Sequence, residues 1–437
     1  MRHGTGDTLI VHIDWGQIAS YVLFAISCIN TVSLIIWLIV MPIVLLLREK
    51  KAGAVDFMIQ LQFRSLLNAG VAASISGTAS LVKWAVVFIL SFYLLLGRRG
   101  ARDPQLGHFS RLVLIFSGAV LIFSWISSSY PVTASFKVLS YVIPFIAIMC
   151  GIADTPRVDW ISKIVIPLGL LCFGSIVLIS SSIGYMRNGH AFQGVFNHPN
   201  VYGVMLALFI AGYLSRKDKL NFWTVLIITG AIALAWQTES RTGMLSLVSC
   251  VLLWFFTIAQ KRYARIGLMI LLIFVVVTLA LFDSPLLERV MSYAYKGRSD
   301  SILYSRQEQL DTNIQRFLSH PLTGTGFNVP YQSGIRAYTI SFDLVTENGN
   351  LMLASLGDTG LLGTILFVIA YYRLYKMGRG ASILLFFSPF LVSMGEMSFF
   401  STNNFAIIMY LYFGIYASEG WKQRRRRITQ ARGGDVS

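Results

Sequence analysis

Three short polar stretches in a largely apolar chain carry side chains that could bind or transfer a charged group. The first, GVFNHPNVYG at residues 194–203, places His198 and Asn200 around a proline. Proline suits the first position of a helix, because its missing N–H costs nothing there. The free N–H groups and positive dipole of such a helix start could bind an anion. A plain capping turn would use the same residues, so both interpretations stay open.

The second stretch is ESRTG at residues 239–243, which links two apolar runs. Its Arg241 lies close to the carboxylate of Glu239 and to two hydroxyl side chains. A guanidinium suits phosphate, because its planar fork donates paired hydrogen bonds and stays charged. The alternative is an arginine that extends toward lipid headgroups while paired with Glu239. The stretch therefore predicts either a phosphate ligand or an interfacial anchor.

The third group lies in a polar segment of 65 residues, 284–348. Connections longer than about 12–15 residues are usually functional or disordered. A helical pattern over residues 302–318 places Arg306 and Arg316 away from its apolar face. The segment ends in TENGNL, which brings Glu347 to the start of the next apolar run. There it could act in chemistry or merely complement a helix dipole.

Sequence patterns of several other reaction types are missing. No two acidic residues are separated by a single residue, so a D-x-D motif that holds a metal on a sugar nucleotide is absent. H-E-x-x-H, G-x-S-x-G and a glycine loop that binds phosphate are absent as well. We therefore expect a site without metal or cofactor, built on arginine and a carboxylate.

The composition indicates what positions these residues. The chain has 437 residues, 55% hydrophobic and 13% charged, where a soluble domain carries about 25% charged residues. Apolar runs of 18 or more residues recur, each long enough to cross a hydrocarbon core of about 30 Å. The sequence therefore predicts an all-α, multi-pass membrane protein. Its net charge of +16 lies in short connectors and in the tail WKQRRRRITQAR, which is the positive-inside pattern and argues against nucleic acid as a partner.

Counting back from the basic tail assigns the apolar runs alternately to the two sides. The basic connectors RLYKMGR, QKRYAR, SRKDK and GRRGAR all fall on the cytoplasmic side, and the three polar stretches share the opposite face. We expect about 12 transmembrane helices (12 or 13). They divide into N-terminal spans at 1–283, the polar loop at 284–348, C-terminal spans at 349–418 and a cytoplasmic tail at 419–437.

The N-terminal topology has two solutions. The run from Ile18 to Leu47 is expected to be one span, tilted and kinked at Pro42. A cytoplasmic REKK at 48–51 would require a further weak span or re-entrant segment near 65–79. Without that segment, REKK faces outward and the N-terminus is inside. Lys137, near the start of a later run, is expected at the membrane interface.

Taken in order, the motifs resemble those of the O-antigen ligase and O-antigen polymerase superfamily of bacterial envelope enzymes. The resemblance covers about residues 190–365 and rests on five motifs: G-x-F-x-H-P-N-x-x-G from Gly194, S-R-T-G from Ser240, S-R at Ser305, H-P-L-T-G-T-G-F from His320, and E-N-G-N-L followed by L-G-D-T-G-L-L-G. It implies a fold similar to the membrane-embedded (GT-C-like) glycosyltransferases, with a large, partly helical periplasmic loop over an outward cavity.

The resemblance also implies an activity: inverting, metal-independent transfer of a glycan from an undecaprenyl-diphosphate carrier to an acceptor hydroxyl. The site would face the periplasm in the bacterial inner membrane. Glu347 would be the general base and Arg241 the other catalytic residue, clamping the diphosphate. The implied substrate-binding residues are Arg306, His198, Asn200, Arg298, Arg316 and Glu239. Guanidinium groups would neutralise the leaving diphosphate, as a metal does in other transferases. The implied partners are the lipid-linked oligosaccharide, membrane lipid, a chain-length regulator and a flippase.

One departure from the family pattern favours a polymerase. Where ligases usually carry a histidine before the Asn of the final motif, this chain has Glu347. A carboxylate can take the acceptor's proton if burial raises its pKa toward neutrality. The leading interpretation is a polymerase of O-antigen or exopolysaccharide. The alternatives are an O-antigen ligase acting on lipid A core, another lipid-linked glycan transferase, and a transporter of the lipid-linked sugar. Transporters commonly show duplicated halves, and the sequence has no internal repeat.

Overall fold

The structure is a computed structural model that describes residues 15–96, 104–258, 304–341, 344, 346, 349–396, 398–401 and 405–433. These residues form 14 α-helices and two short 3-10 helices, Ser175–Leu178 and Ser182–Tyr185. Over the same ranges the only β-pairings are isolated bridges. The α-helices are α1 (Trp15–Ile26), α2 (Thr31–Glu49), α3 (Lys51–Leu66), α4 (Gly77–Leu95), α5 (Pro104–Ser127), α6 (Pro131–Asp154), α7 (Trp160–Gly174), α8 (Pro199–Leu214), α9 (Phe222–Gln237), α10 (Arg241–Ile258), α11 (Tyr304–Ser319), α12 (Leu351–Met377), α13 (Leu384–Ser393) and α14 (Ala406–Gly433).

The prediction of an all-α, multi-pass membrane protein is confirmed. Seven segments of the described chain are long and apolar enough to cross a membrane: α2, α4, α5, α6, α7 with the 3-10 turn after it, α10 and α12. Four more apolar helices, α1, α8, α9 and α13, are shorter than 18 residues. The expected count of about 12 spans is therefore not confirmed. At the C-terminal end, α14 continues through residue 418 into the basic tail as one helix.

The expectation of one N-terminal span from Ile18 to Leu47 is wrong, because the run consists of two helices. α2 begins with a capping box at Asn30. The Asn30 side chain accepts a hydrogen bond from the N–H of Ser33 at 2.9 Å, and the Ser33 hydroxyl accepts one from the N–H of Asn30 at 3.3 Å. These bonds satisfy backbone donors that a helix start leaves unpaired, so the chain can end one helix and begin another here. Pro42 lies inside α2.

The additional N-terminal element is helix α3 at residues 51–66, not a segment near 65–79. Residues 67–76 form no helix. Hydropathy missed α3 because it contains several polar residues, yet 13 of its 16 residues are buried. Arg64, 2% exposed, donates to the carbonyl oxygens of Ser27 at 3.0 Å and Ala73 at 2.6 Å. Its polar groups are satisfied by neighbouring segments, as burial requires.

Ion pairs gather at one end of the helix bundle, which we call the basic end. Lys163 Nζ lies 3.1 Å from a carboxylate oxygen of Glu49 and 2.9 Å from one of Asp56. Two further pairs here are Lys51–Asp154 and Arg216–Asp159. REKK at 48–51 and SRKDK at 215–219 therefore lie at the same end, as placing both in the cytoplasm requires. Which side of the membrane this end occupies stays a prediction.

Helices α8 and α10 approach each other closely through two glycines. A Cβ on Gly243 would lie 2.4 Å from the carbonyl carbon of Gly203, and one on Gly203 would lie 2.6 Å from Cβ of Ser240. α8 is a core helix, since 14 of its 16 residues are buried. The crossing brings the starts of α8 and α10 together, and these starts carry two of the motifs.

We predict that Gly243→Ala lowers the melting temperature of the purified protein in detergent. The added methyl group must displace backbone, and overpacking of this kind costs about 1–3 kcal/mol. Gly118→Ala is the matched control, because a Cβ there would meet no heavy atom within 4 Å other than those of its chain neighbours and of its own helix backbone. Equal melting temperatures for the two variants would contradict the close crossing.

Candidate functional site

The backbone of the GVFN stretch runs beside the end of α3. The N–H of Asn197 donates to the carbonyl oxygen of Leu66 at 2.8 Å. Asn68, 2% exposed, donates from its side-chain amide to the carbonyl oxygen of Gly194 at 2.7 Å. Irregular backbone inside a membrane protein needs protein partners of this kind, because no water is available in the hydrocarbon region. The polar end of α3 therefore holds the stretch that leads into His198.

His198 caps helix α8, as the sequence predicts, and Pro199 is the first residue of that helix. Nδ1 of His198 accepts a hydrogen bond from the N–H of Asn200 at 3.1 Å. The side-chain amide of Asn200 donates to Oε1 of Glu396 at 2.8 Å. The capping arrangement is thus confirmed, whereas the predicted binding of substrate by His198 and Asn200 stays a prediction.

Arg241 is the first residue of α10 and is half-buried. Ser240 caps this helix, because its hydroxyl oxygen accepts from the N–H of Gly243 at 3.1 Å. Glu239 adopts a left-handed backbone conformation (φ 52°) in the turn before it. Its carboxylate lies 3.4 Å from Nε2 of His190. The guanidinium of Arg241 is therefore carried at the positive end of a helix dipole.

The turn Met394–Glu396, after α13, contacts the starts of α8 and α10. Glu396 accepts the hydrogen bond from Asn200 on α8. Gly395 packs on Thr242 of α10 so closely that a Cβ would lie 2.0 Å from the Thr242 hydroxyl oxygen. Only glycine fits here without a shift of neighbouring atoms.

The same turn also contacts the start of α12. Asn350 caps this helix with its side-chain oxygen, and its amide nitrogen donates to the carbonyl oxygen of Met394 at 3.2 Å. Three helix starts therefore meet at one turn, at a place we call the site end. Helix starts present free N–H groups and positive dipole ends, a combination suited to an anion.

A second assembly joins the turn after α11 to the middle of α12. α12 is interrupted at Gly360, which has φ 64° and ψ −170°. Across this break the N–H of Leu361 donates to the carbonyl oxygen of Pro321 at 2.8 Å, and the N–H of Thr325 donates to that of Gly357 at 2.9 Å. The motifs H-P-L-T-G-T-G-F and L-G-D-T-G-L-L-G thus pair backbone to backbone. We call this pairing the loop–helix interlock.

A buried ion pair secures the interlock. Arg316, 2% exposed, donates to Oδ1 of Asp358 at 2.5 Å and to the Thr325 hydroxyl at 2.8 Å. Asp358, 1% exposed, also accepts from the N–H of Asn328 at 2.9 Å. In this structure the Arg316 guanidinium is thus bound to protein acceptors and holds α11 on α12. Its predicted part in substrate binding stays a prediction.

Residues 226–368 match the Wzy_C family, described as O-antigen ligase. This segment of the chain is therefore similar to the Wzy/WaaL-like family that the motifs predict. The Wzy_C match runs from α9 to α12, so it includes Arg241 and both motifs of the loop–helix interlock. It indicates lipid-linked glycan transfer of the O-antigen ligase or polymerase type. No curated protein matches the chain.

Several predicted site residues lie outside what the structure describes. Glu347 and Arg298 are not described, and for Arg306 the structure gives the helical backbone of α11 alone. In sequence, Glu347 precedes the α12 cap Asn350 by three positions. The roles assigned to these three residues stay predictions. Within the described ranges, no group of three or more His, Cys, Asp or Glu side chains could hold a metal, and the expectation of a metal-free site remains untested.

Lys137 has a role that the sequence analysis missed. Its Nζ donates to the carbonyl oxygens of Asn328 at 2.5 Å and Leu344 at 2.6 Å, while its expected position at the membrane interface stays a prediction. Nearby, the Ser129 hydroxyl donates to the carbonyl oxygen of Gln332 at 2.8 Å. The corner between α5 and α6 therefore docks the second half of the loop. The hydroxyl-rich SSSYPVT (127–133) was the available signal for it.

We predict that Asp358→Ala loosens the loop from α12. The variant leaves the buried Arg316 charge without its carboxylate, and removing one partner of a buried pair costs about 3–5 kcal/mol. Limited proteolysis should therefore cleave residues 304–341 faster, and the melting temperature should fall. Asp311→Ala, at an exposed position of α11, is the control. Cleavage of the Asp358 variant at the wild-type rate would show that the ion pair does not hold the loop.

Proposed function

We propose that this protein is a polysaccharide polymerase of the O-antigen or exopolysaccharide type. It transfers a glycan from undecaprenyl diphosphate to an acceptor hydroxyl on another lipid-linked repeat unit. The observation that carries the proposal is the position of Arg241: a guanidinium at a helix start, where three helix starts meet, inside the part of the chain that matches Wzy_C.

The donor's diphosphate would bind at the site end. The N–H groups of helix starts and the forked guanidinium of Arg241 are both suited to phosphate oxygens. His198 and Asn200 at the start of α8, Glu239 beside Arg241, and the loop arginines Arg298 and Arg306 are the further proposed substrate-binding residues. Arg316 would support the loop that carries Arg306, since its guanidinium is bound to Thr325 and Asp358. Positive charge at the diphosphate stabilises the negative charge that develops as this group leaves.

Glu347 would supply the general base. It takes the proton of the acceptor hydroxyl while the hydroxyl oxygen attacks the anomeric carbon from the side opposite the diphosphate. The new glycosidic bond forms as the bond from that carbon to the diphosphate oxygen breaks, and undecaprenyl diphosphate leaves with the electron pair. The configuration at the anomeric carbon is therefore inverted. Because guanidinium groups carry the electrostatic role, this proposal needs no metal.

We place the protein in the bacterial inner membrane with the site end toward the periplasm. The support is the distribution of charge, since the basic end and the arginine-rich tail fit the cytoplasmic side. A flippase that delivers the lipid-linked repeat unit and a regulator of chain length are the proposed partners. The second candidate function is an O-antigen ligase acting on lipid A core, which the description of the matched family favours.

Deletion of the gene should reduce the polymer ladder of the cell's glycans to single repeat units, because no other step joins them on the carrier. Gel separation of surface and lipid-linked glycans gives the measurement, with plasmid-borne wild-type protein as the control. Full-length polymer that stays on undecaprenyl diphosphate and never reaches lipid A would instead identify a ligase.

We predict that Glu347→Gln and Arg241→Lys fail in different ways. Loss of a general base lowers the rate about 10²–10⁴-fold, so Glu347→Gln should nearly abolish turnover and leave donor affinity within about threefold. Arg241→Lys keeps the charge but loses the paired hydrogen bonds, so it should weaken donor binding as well. Purified variants in detergent would be compared for donor binding and turnover. Retained turnover in Glu347→Gln would remove the base assignment.

A further inference from the structure

Glu396 is a carboxylate at the site end that the resemblance does not assign. It lies in the connection between α13 and α14, is half-buried, and accepts the hydrogen bond from Asn200 across 196 positions of sequence. Ionisable side chains are common at the ends of membrane helices, but this one is half-buried and hydrogen-bonded to the start of a second helix. Glu396 is therefore part of the structure of the site end.

The backbone around Glu396 is fixed from two further helices. Gly395 lies against Thr242 of α10, and Met394 accepts a hydrogen bond from Asn350 of α12. The carboxylate is consequently held between the starts of three helices. A negative charge at the start of α8 is also stabilised by the dipole of that helix.

The hydrogen bond determines how Asn200 presents its amide. An ionised carboxylate only accepts hydrogen bonds, so the NH₂ group of Asn200 must face Glu396. The amide oxygen Oδ1 is then directed away from Glu396. Without the carboxylate, the amide could rotate and offer either atom. Glu396 thus converts Asn200 from an ambiguous group into one with a defined acceptor atom.

We propose that Glu396 is a positioning residue of the glycan-transfer site. By fixing the amide of Asn200 it prepares Oδ1 to accept a hydrogen bond from a sugar hydroxyl of the lipid-linked donor. This inference rests on the proposed function and deepens it, because it assigns a contact to the sugar in addition to those to the diphosphate. Glu396 acts through Asn200 and takes no proton itself.

The test is a double-mutant cycle on Asn200→Ala and Glu396→Ala. Lipid-linked repeat units extracted from the deletion strain serve as the donor, and the dissociation constant and turnover of each purified variant are measured. Each single variant should weaken donor binding about tenfold, the scale of one charge-assisted hydrogen bond. The double variant should bind no more weakly than either single variant, since both changes remove the same interaction. The turnover rate at saturating donor should change less than about threefold, because the lost interaction contributes to donor binding rather than to the chemical step.

Two more variants separate charge from shape. The amide of Glu396→Gln can rotate, so it can still accept from Asn200 but does not fix its orientation. The donor affinity of this variant should therefore lie between that of wild type and that of Glu396→Ala. Glu419→Gln is the matched control, because this half-buried glutamate lies beside Arg216 and Lys422 at the basic end. It should leave donor binding unchanged.

Three results would overturn the inference. Effects of the two single variants that multiply in the double variant would show that Glu396 acts independently of Asn200. A lowered melting temperature with unchanged donor affinity would make Glu396 purely structural. Lost turnover with normal donor affinity would make it the base. Wild-type protein that binds donor but joins no repeat units would refute the polymerase proposal alone, whereas wild type without donor binding would refute both.

Discussion

The hydrocarbon core of a membrane supplies no water to unpaired backbone groups, so irregular backbone persists there only where protein groups satisfy it. Two irregular stretches of this protein are paired with protein groups in this way. The GVFN stretch pairs with the end of α3 through Leu66 and Asn68. The break in α12 at Gly360 pairs with the turn that follows α11. A binding site needs non-helical backbone, and these two pairings hold such backbone in place with hydrogen bonds to other segments. The glycines of the motifs serve this purpose, since a Cβ at Gly324 would lie 2.4 Å from the backbone of Asp358.

The loop–helix interlock gives the loop one position on the bundle. Arg316 and Asp358 are both almost fully buried, and a buried ion pair adds little net stability when compared with apolar packing. The ion pair instead specifies one register between the two segments, because a shift of either segment would leave two buried charges unpaired. Lys137 adds a second anchor on α6, at the other end of the described loop. These contacts with α6 and α12 therefore hold the loop, with its helix α11, in one position on the bundle.

The sequence predicted the later helices well and the first three poorly. Within the described residues, the long apolar runs from residue 77 onward correspond to helices, because hydropathy is a sufficient signal for them. The break at Asn30 was missed, because hydropathy averaged over a long apolar run does not reveal the two polar residues of a capping box. α3 was missed for a different reason. The partners of its polar residues lie far away in sequence: Gln60 donates to Ser20 at 2.7 Å, and Gln62 accepts from the N–H of Ile407 at 3.2 Å. The same limit hid the pairing of Asn200 with Glu396.

The two ends of the bundle carry positive charge in different ways, and this difference follows from how membrane proteins are oriented. Lysine and arginine in short connectors fix the cytoplasmic side, so a lysine cluster on the other side would oppose the intended orientation. The basic end uses side-chain cations such as Lys163 and Arg216, paired with acids. The site end instead contains the starts of α8, α10 and α12. The N-terminal end of each helix dipole carries partial positive charge, and it adds no lysine or arginine to that side of the membrane. An anion site built from helix starts and Arg241 can therefore face away from the basic tail, where the lipid-linked donor of the proposed reaction would bind.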